Sequence, residues 1–197
     1  MAFLNENEWI LLNEIAYNIS FIYTVEEMQQ EMLNRWLPFL IPYDAAIFAR
    51  ISTTEDGAYQ FQTPAAFHLS QQAVNAWVQE SLNSDAFRWV LYTCKGGAFR
   101  ESMSVPEEQI KNQGIYQNFY LPNHLTHSVG LSICFREEPV GLLRLYREAD
   151  KPPFGICLYW SSCTSTLHTV WYMRLKRVTP VISLQKGTMR SCAVNTV

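Results

Sequence analysis

Glycine is scarce, eight in 197 residues, and no segment repeats a simple unit, which excludes collagen-like, linker-like and low-complexity chains. No run of eighteen apolar residues occurs, and the opening MAFLNENEWI carries carboxylates where a secretory leader would carry bases before an apolar stretch. Neither a membrane span nor a secretory signal is expected, and the expected location is cytoplasmic. The five cysteines, Cys94, Cys134, Cys157, Cys163 and Cys192, include no CxxC pair and leave one over after pairing, so they read as reduced thiols. Acids are missing from one region altogether. Residues 1–150 hold all 18 acids and nine of the 15 bases, whereas residues 151–197 hold six bases and no acid. Average composition would place about four acids there, so the tail reads either as a nucleic-acid-binding segment or as sequence of a different origin.

What is present is apolar and aromatic: 48% of the residues are hydrophobic and 14% aromatic, enough for one globular domain with a real core. Trp9, Leu12, Ile15, Ala16 and Ile19 recur at three- and four-residue spacing and predict an amphipathic helix over 6–19. Thr24 and Glu27 form a capping box for a second helix with Val25, Met28, Met32 and Trp36 on one face, stopped by Pro38. AAIFARIS, 45–52, predicts a strand, and AYQFQ, 58–62, its hairpin partner. Ser70 is a good N-cap for a helix carrying Ala73, Val74, Trp77 and Val78 that ends near Asn83. Residues 85–92 are ambiguous between helix and strand. Pro106 with Glu107 and Glu108 has the form of a helix start, and a short helical stretch to Tyr120 is expected. From His127 to Arg136 residues alternate: His127, Val129, Leu131, Ile133 and Phe135 point one way, and Ser128, Gly130, Ser132, Cys134 and Arg136 the other. VGLLRLYR, 140–147, returns as the second strand of a hairpin. Clustered helices and paired strands argue for an α+β antiparallel sheet flanked by helices.

Chemical motifs are few. LysGlyGly at 95–97 lacks phosphate-loop spacing, and no GxSxG elbow occurs. His124 and His127 have no third ligand nearby, so no metal is expected. The pairs Glu26/Glu27, Glu107/Glu108 and Glu137/Glu138 sit at helix starts or turns, where solvated acids need no catalytic role. Cys94 adjoins Lys95, which would lower its pKa, and Cys134 lies in the alternating strand; inert thiols are the plainer reading of both. Phe48, Trp89, Tyr92, Tyr116, Phe119 and Tyr120 are the candidate ligand-pocket residues, the alternative being ordinary core.

The stretch FRESMSVPEEQIKNQGIYQNFYLPNHLTHSVGLSICFREEPVGLLRLYREADKPPF, 99–154, contains ArgGluSer followed by ProGluGlu, then IYQNFYLPN, a hairpin with GLLRLYR, and a closing PPF. In that order and spacing it resembles the GAF-like sensor domain that precedes the helix-turn-helix of LuxR-type transcription regulators. With the N-terminal helices and AAIFARIS the resemblance spans residues 6–154. It implies a sheet flanked by helices, a small-ligand pocket over one sheet face, and dimerisation through terminal helices. Met103 stands where an acid is expected after the serine of RES, and neither a bilin-attaching Cys–His pair nor a cyclic-nucleotide signature is found, so no ligand identity carries over.

The resemblance ends at Phe154, where a final helix and a helix-turn-helix would follow. Back-translating the tail and reading it in a shifted register allows LLEQLHQY and then TSKRDNEILR, similar to the opening of a LuxR-type helix-turn-helix. The expected organisation is a GAF-like sensor domain over 1–154 and an atypical basic tail over 155–197, produced by a frame shift and leaving a truncated regulator. The expected function is a non-enzymatic small-molecule-sensing or dimerisation module with an unidentified effector. A homodimer is expected, with no specific DNA binding by this chain, no membrane and no cofactor. The alternatives are a GAF-fold thiol reductase acting on a small oxidised substrate such as methionine sulfoxide, with Cys94 or Cys134 as nucleophile, and a structural dimerisation domain.

Overall fold

Three helical elements come first in the computed structural model, which describes residues 6–84, 88, 91, 97–100, 106–136 and 138–154. Helix α1 (Glu6–Ile19) is anchored by its C-terminal half: Ile15 and Ile19 are buried, while Trp9, expected on the inner face, is 46% exposed. Helix α2 (Val25–Glu31) starts where the sequence predicts, with the Glu27 amide donating to Thr24 Oγ1 at 3.1 Å.

Pro38 does not stop this helix, contrary to expectation. The chain widens into a π-helical turn, Met32–Trp36, in which the Leu37 amide donates to the Met32 carbonyl, and continues as α3 (Leu37–Leu40). Pro38 thereby falls in the first turn of α3, where a missing N–H leaves no bond unmade, and the run ends at the extended residue Ile41.

Strands β1 (Ala45–Thr53) and β2 (Tyr59–Phe67) form the expected hairpin. Its turn is tied by Thr54, whose amide donates to the Ala58 carbonyl at 2.8 Å and whose Oγ1 accepts from the Ala58 amide at 3.0 Å. Helix α4 (Gln71–Ser81) is capped by Ser70 Oγ, which accepts from the Ala73 amide at 3.2 Å. After β3 (Gly97–Phe99), the stretch expected as one helix to Tyr120 divides into α5 (Glu107–Lys111) and a π-helical turn, Tyr116–Tyr120. Gly114 lies at this break, so close to α4 that a Cβ there would stand 2.2 Å from Glu80 Oε2. Strands β4 (Leu125–Phe135) and β5 (Glu138–Glu148) complete an antiparallel sheet of order β2-β1-β5-β4-β3.

The period-2 alternation of the strands makes two cores. Ala46, Phe48, Val129, Leu131, Ile133, Leu143 and Leu145 pack under α1, α2 and the first π turn. Ala45, Ile47, Ala49, Leu142 and Tyr146 face the other way, under α4 and the second π turn. The sheet is thus covered on both faces, and each aliphatic side chain fully buried in these layers stabilises the fold by about 1.5–3 kcal/mol. Among the described residues no helix is long and apolar enough to cross a membrane.

Candidate ligand-binding site

The second core is the more polar of the two, because β5 places Arg144 between Leu142 and Tyr146 on the same apolar face. Arg144 has no exposed surface. Its Nη2 donates to Tyr120 Oη at 2.9 Å and to Ser128 Oγ at 2.8 Å, and its guanidinium carbon stands 5.1 Å from the Phe99 ring centre and 5.6 Å from that of Tyr146. Hydrogen bonds and aromatic faces are the environment a buried guanidinium requires. Room for it comes from Gly130 on β4, where a Cβ would lie 2.3 Å from Phe99 Cζ and 2.9 Å from Arg144 Cδ. Beside this group Trp77 Nε1 donates to Tyr146 Oη at 2.7 Å, and the Phe119 and Tyr120 rings meet Tyr146 edge-on at 5.2 and 5.5 Å.

A cleft of about 380 Å³ opens at the edge of this core, beside the N-terminal part of β4. Gly97–Phe99 of β3 pair with β4 at Gly130–Ser132, and the cleft lies beside the β4 residues that precede them. It is lined by Thr126, His127 and Ser128 of β4, by Ile110 and Lys111 of α5, by Tyr116 and Tyr120 of the second π turn, and by Arg100, Pro153 and Phe154. Phe154 is clamped from two sides. Its carbonyl accepts from Arg100 Nη1 at 3.2 Å, and the Arg147 guanidinium lies 4.1 Å from its ring centre. Tyr120 and Ser128, the two hydroxyl partners of Arg144, both line the cleft, so the buried cation lies directly behind its polar wall.

The six pocket candidates are distributed unevenly. Tyr116 and Tyr120 line the cleft with ring centres 6.1 Å apart, and Phe119 is buried beside them. Phe48 belongs to the opposite core, so the sheet separates it from these three. Trp89 and Tyr92 lie outside the described residues, as do Cys94 and the tail 155–197. Cys134 is buried, with Sγ 3.3 Å from Ser132 Oγ. His124 ends a 3-10 turn in a left-handed conformation, whereas His127 enters the cleft wall. Among the described residues no three His, Cys, Asp or Glu side chains are grouped to hold a metal.

No family model and no curated protein matches the sequence. Solved structures do resemble it. SdiA in complex with octanoyl-rac-glycerol aligns with a TM-score of 0.62 at 13% identity, over 96% of this chain and 75% of that one. The N-acylhomoserine lactone dependent LuxR family transcription factor CepR2 from Burkholderia cenocepacia aligns with a TM-score of 0.56 at 10% identity, over 87% of this chain and 99% of that one. The GAF domain/HD domain protein from Geobacter sulfurreducens aligns with a TM-score of 0.56 at 11% identity, over 81% of this chain and 97% of that one. The five-stranded antiparallel sheet between two helical layers is accordingly a GAF-like α+β fold, the fold these LuxR-type and GAF domains share.

Proposed function

We propose that this domain senses a small amphiphilic molecule held in the cleft between the second π turn and the start of β4, and that it does so without chemically altering the ligand. The observation that carries the reading is the construction of the cleft. About 380 Å³ suits a small molecule, and the lining combines the hydroxyls of Tyr120 and Ser128 with the apolar side chains of Ile110 and Phe154 and the Tyr116 ring. Tyr116 and Tyr120 are the aromatic contacts of this reading, and Phe119 packs edge-on against Tyr120 and against Tyr146 of the sheet. The octanoyl-glycerol complex of SdiA and the acylhomoserine lactone dependence of CepR2 favour a ligand with an acyl chain.

Dimerisation belongs to the same reading. Trp9, Ile10 and Tyr17 on α1, with Phe21 and Tyr23 just beyond it, leave large apolar side chains on the surface beside one another in sequence, the kind of patch that a second copy covers. Regulation of transcription is the role we assign to the domain, with no specific DNA binding by this chain; filter binding at low salt should show no sequence-selective retention.

Native mass spectrometry of the full chain, purified gently, tests the sensing reading. A retained small molecule, or a raised melting midpoint with N-octanoyl homoserine lactone or octanoylglycerol, is expected. A chain that carries nothing and responds to neither would contradict it.

A further inference from the structure

We infer that Ser128 is the polar anchor of the ligand: its hydroxyl, turned towards the cleft by Arg144, donates to an acyl carbonyl oxygen, so the class sensed is acyl esters and amides rather than alkyl ethers and alcohols. This rests on the sensing reading and adds the residue that sets its specificity.

The direction of one hydroxyl hydrogen carries the inference. Ser128 Oγ accepts from Arg144 Nη2 at 2.8 Å, and a hydroxyl that accepts from a guanidinium points its own hydrogen away from that group. Arg144 is wholly buried whereas Ser128 lines the cleft, so the side of the hydroxyl turned away from the guanidinium is the cleft side. Ser128 thus meets the ligand as a donor.

That donor is fixed before any ligand arrives. Ser128 pairs with Tyr146 in the register of β4 and β5, which holds its backbone in the sheet. Its partner is held as firmly, because Arg144 Nη2 also donates to Tyr120 Oη at 2.9 Å and the guanidinium lies near the Phe99 and Tyr146 rings. A preorganised donor costs little entropy on binding, and it discriminates against a ligand that leaves it unpaired. A carbonyl oxygen satisfies the O–H; a methylene in the same place displaces water from it and gives nothing back. The acyl chain beyond the carbonyl has Ile110, Tyr116 and Phe154 to lie against.

Titration calorimetry of the full chain with 1-octanoylglycerol and with 1-O-octylglycerol, in which a methylene replaces the carbonyl, tests the inference. The ester should bind the parent about fivefold or more tighter than the ether. S128A should bind the two alike, with ether affinity within about twofold of the parent, and S128T, which restores a hydroxyl, should recover most of the preference. Infrared spectra supply a readout that general destabilisation does not move: the ester carbonyl stretch of the bound glyceride should fall in frequency with the parent and S128T, and less with S128A. Melting curves establish that each variant folds; if S128A does not, the parent's ester preference and its carbonyl shift carry the test.

Equal binding of ester and ether by the parent, a carbonyl stretch unmoved by binding, or an ester preference that survives in S128A overturns the inference and leaves the sensing reading intact. Absence of binding by both compounds overturns both.

Discussion

Arg144 ties the fold to its site. A guanidinium on an apolar sheet face is tolerable only with partners in place, and those partners are the hydroxyls that line the cleft. R144M keeps much of the volume but removes both bonds, so urea unfolding should show a loss of about 2–3 kcal/mol. G130A should cost about 1–3 kcal/mol, because its methyl group would meet Phe99 and the Arg144 stem and force one of them to move. Tyr43 supplies a pH-dependent case. Its phenol donates to the Leu33 carbonyl at 2.5 Å, and burial pushes its pKa well above the ordinary phenol value. The unfolded chain therefore loses this proton first as pH rises, so the stabilisation is complete below the ordinary phenol pKa and fades above it. Y43F should cost about 1 kcal/mol at neutral pH, and the parent's alkaline loss of stability should be smaller in the variant.

Among the elements, those with a strong local signature were legible. Ser70 and Thr24 cap the helices they were expected to cap, and the alternation of 127–136 predicted both faces of β4 as far as Ile133, where the register shifts. S70A should destabilise the protein by about 1 kcal/mol in thermal or urea unfolding, since the Ala73 amide loses its partner. Elements fixed by tertiary packing were not legible. Nothing in MLNRW or YQNFY marks a π turn, and Pro38 reads as a stop because the widening that accommodates it leaves no pattern in the sequence. The division before Tyr116 follows from the approach of Gly114 to α4, a contact between distant segments. The site was half legible for the same reason. Tyr116, Phe119 and Tyr120 stand out as an aromatic cluster, whereas Arg100, His127 and Ser128 meet only through the pairing of β3 with β4, a contact between distant segments. Arg144 does carry a signal in the sequence: it alternates in phase with Leu142 and Tyr146, which puts it on a buried face.

At the scale of the whole molecule, the charge break near residue 150 coincides with the closing PPF, which Arg100 and Arg147 fasten to the sheet domain. The apolar surface along and after α1 bears on assembly. Tyr17 is 66% exposed and its ring meets that of Phe21 edge-on at 4.9 Å, so both stand ready for a partner surface. Light scattering behind gel filtration should report a dimer mass for the parent and a monomer mass for Y17E/F21E, with the melting midpoint little changed; a monomeric parent would contradict the proposed dimer.

The central claim is that one cleft, between the second π turn and the edge of β4, receives the ligand. Hydrogen–deuterium exchange of the full chain with and without saturating octanoylglycerol examines it most directly. Slowed exchange concentrated in peptides covering residues 107–128 is predicted. Unchanged exchange there, or slowing confined to α1, α2 and the core around Phe48, would contradict it.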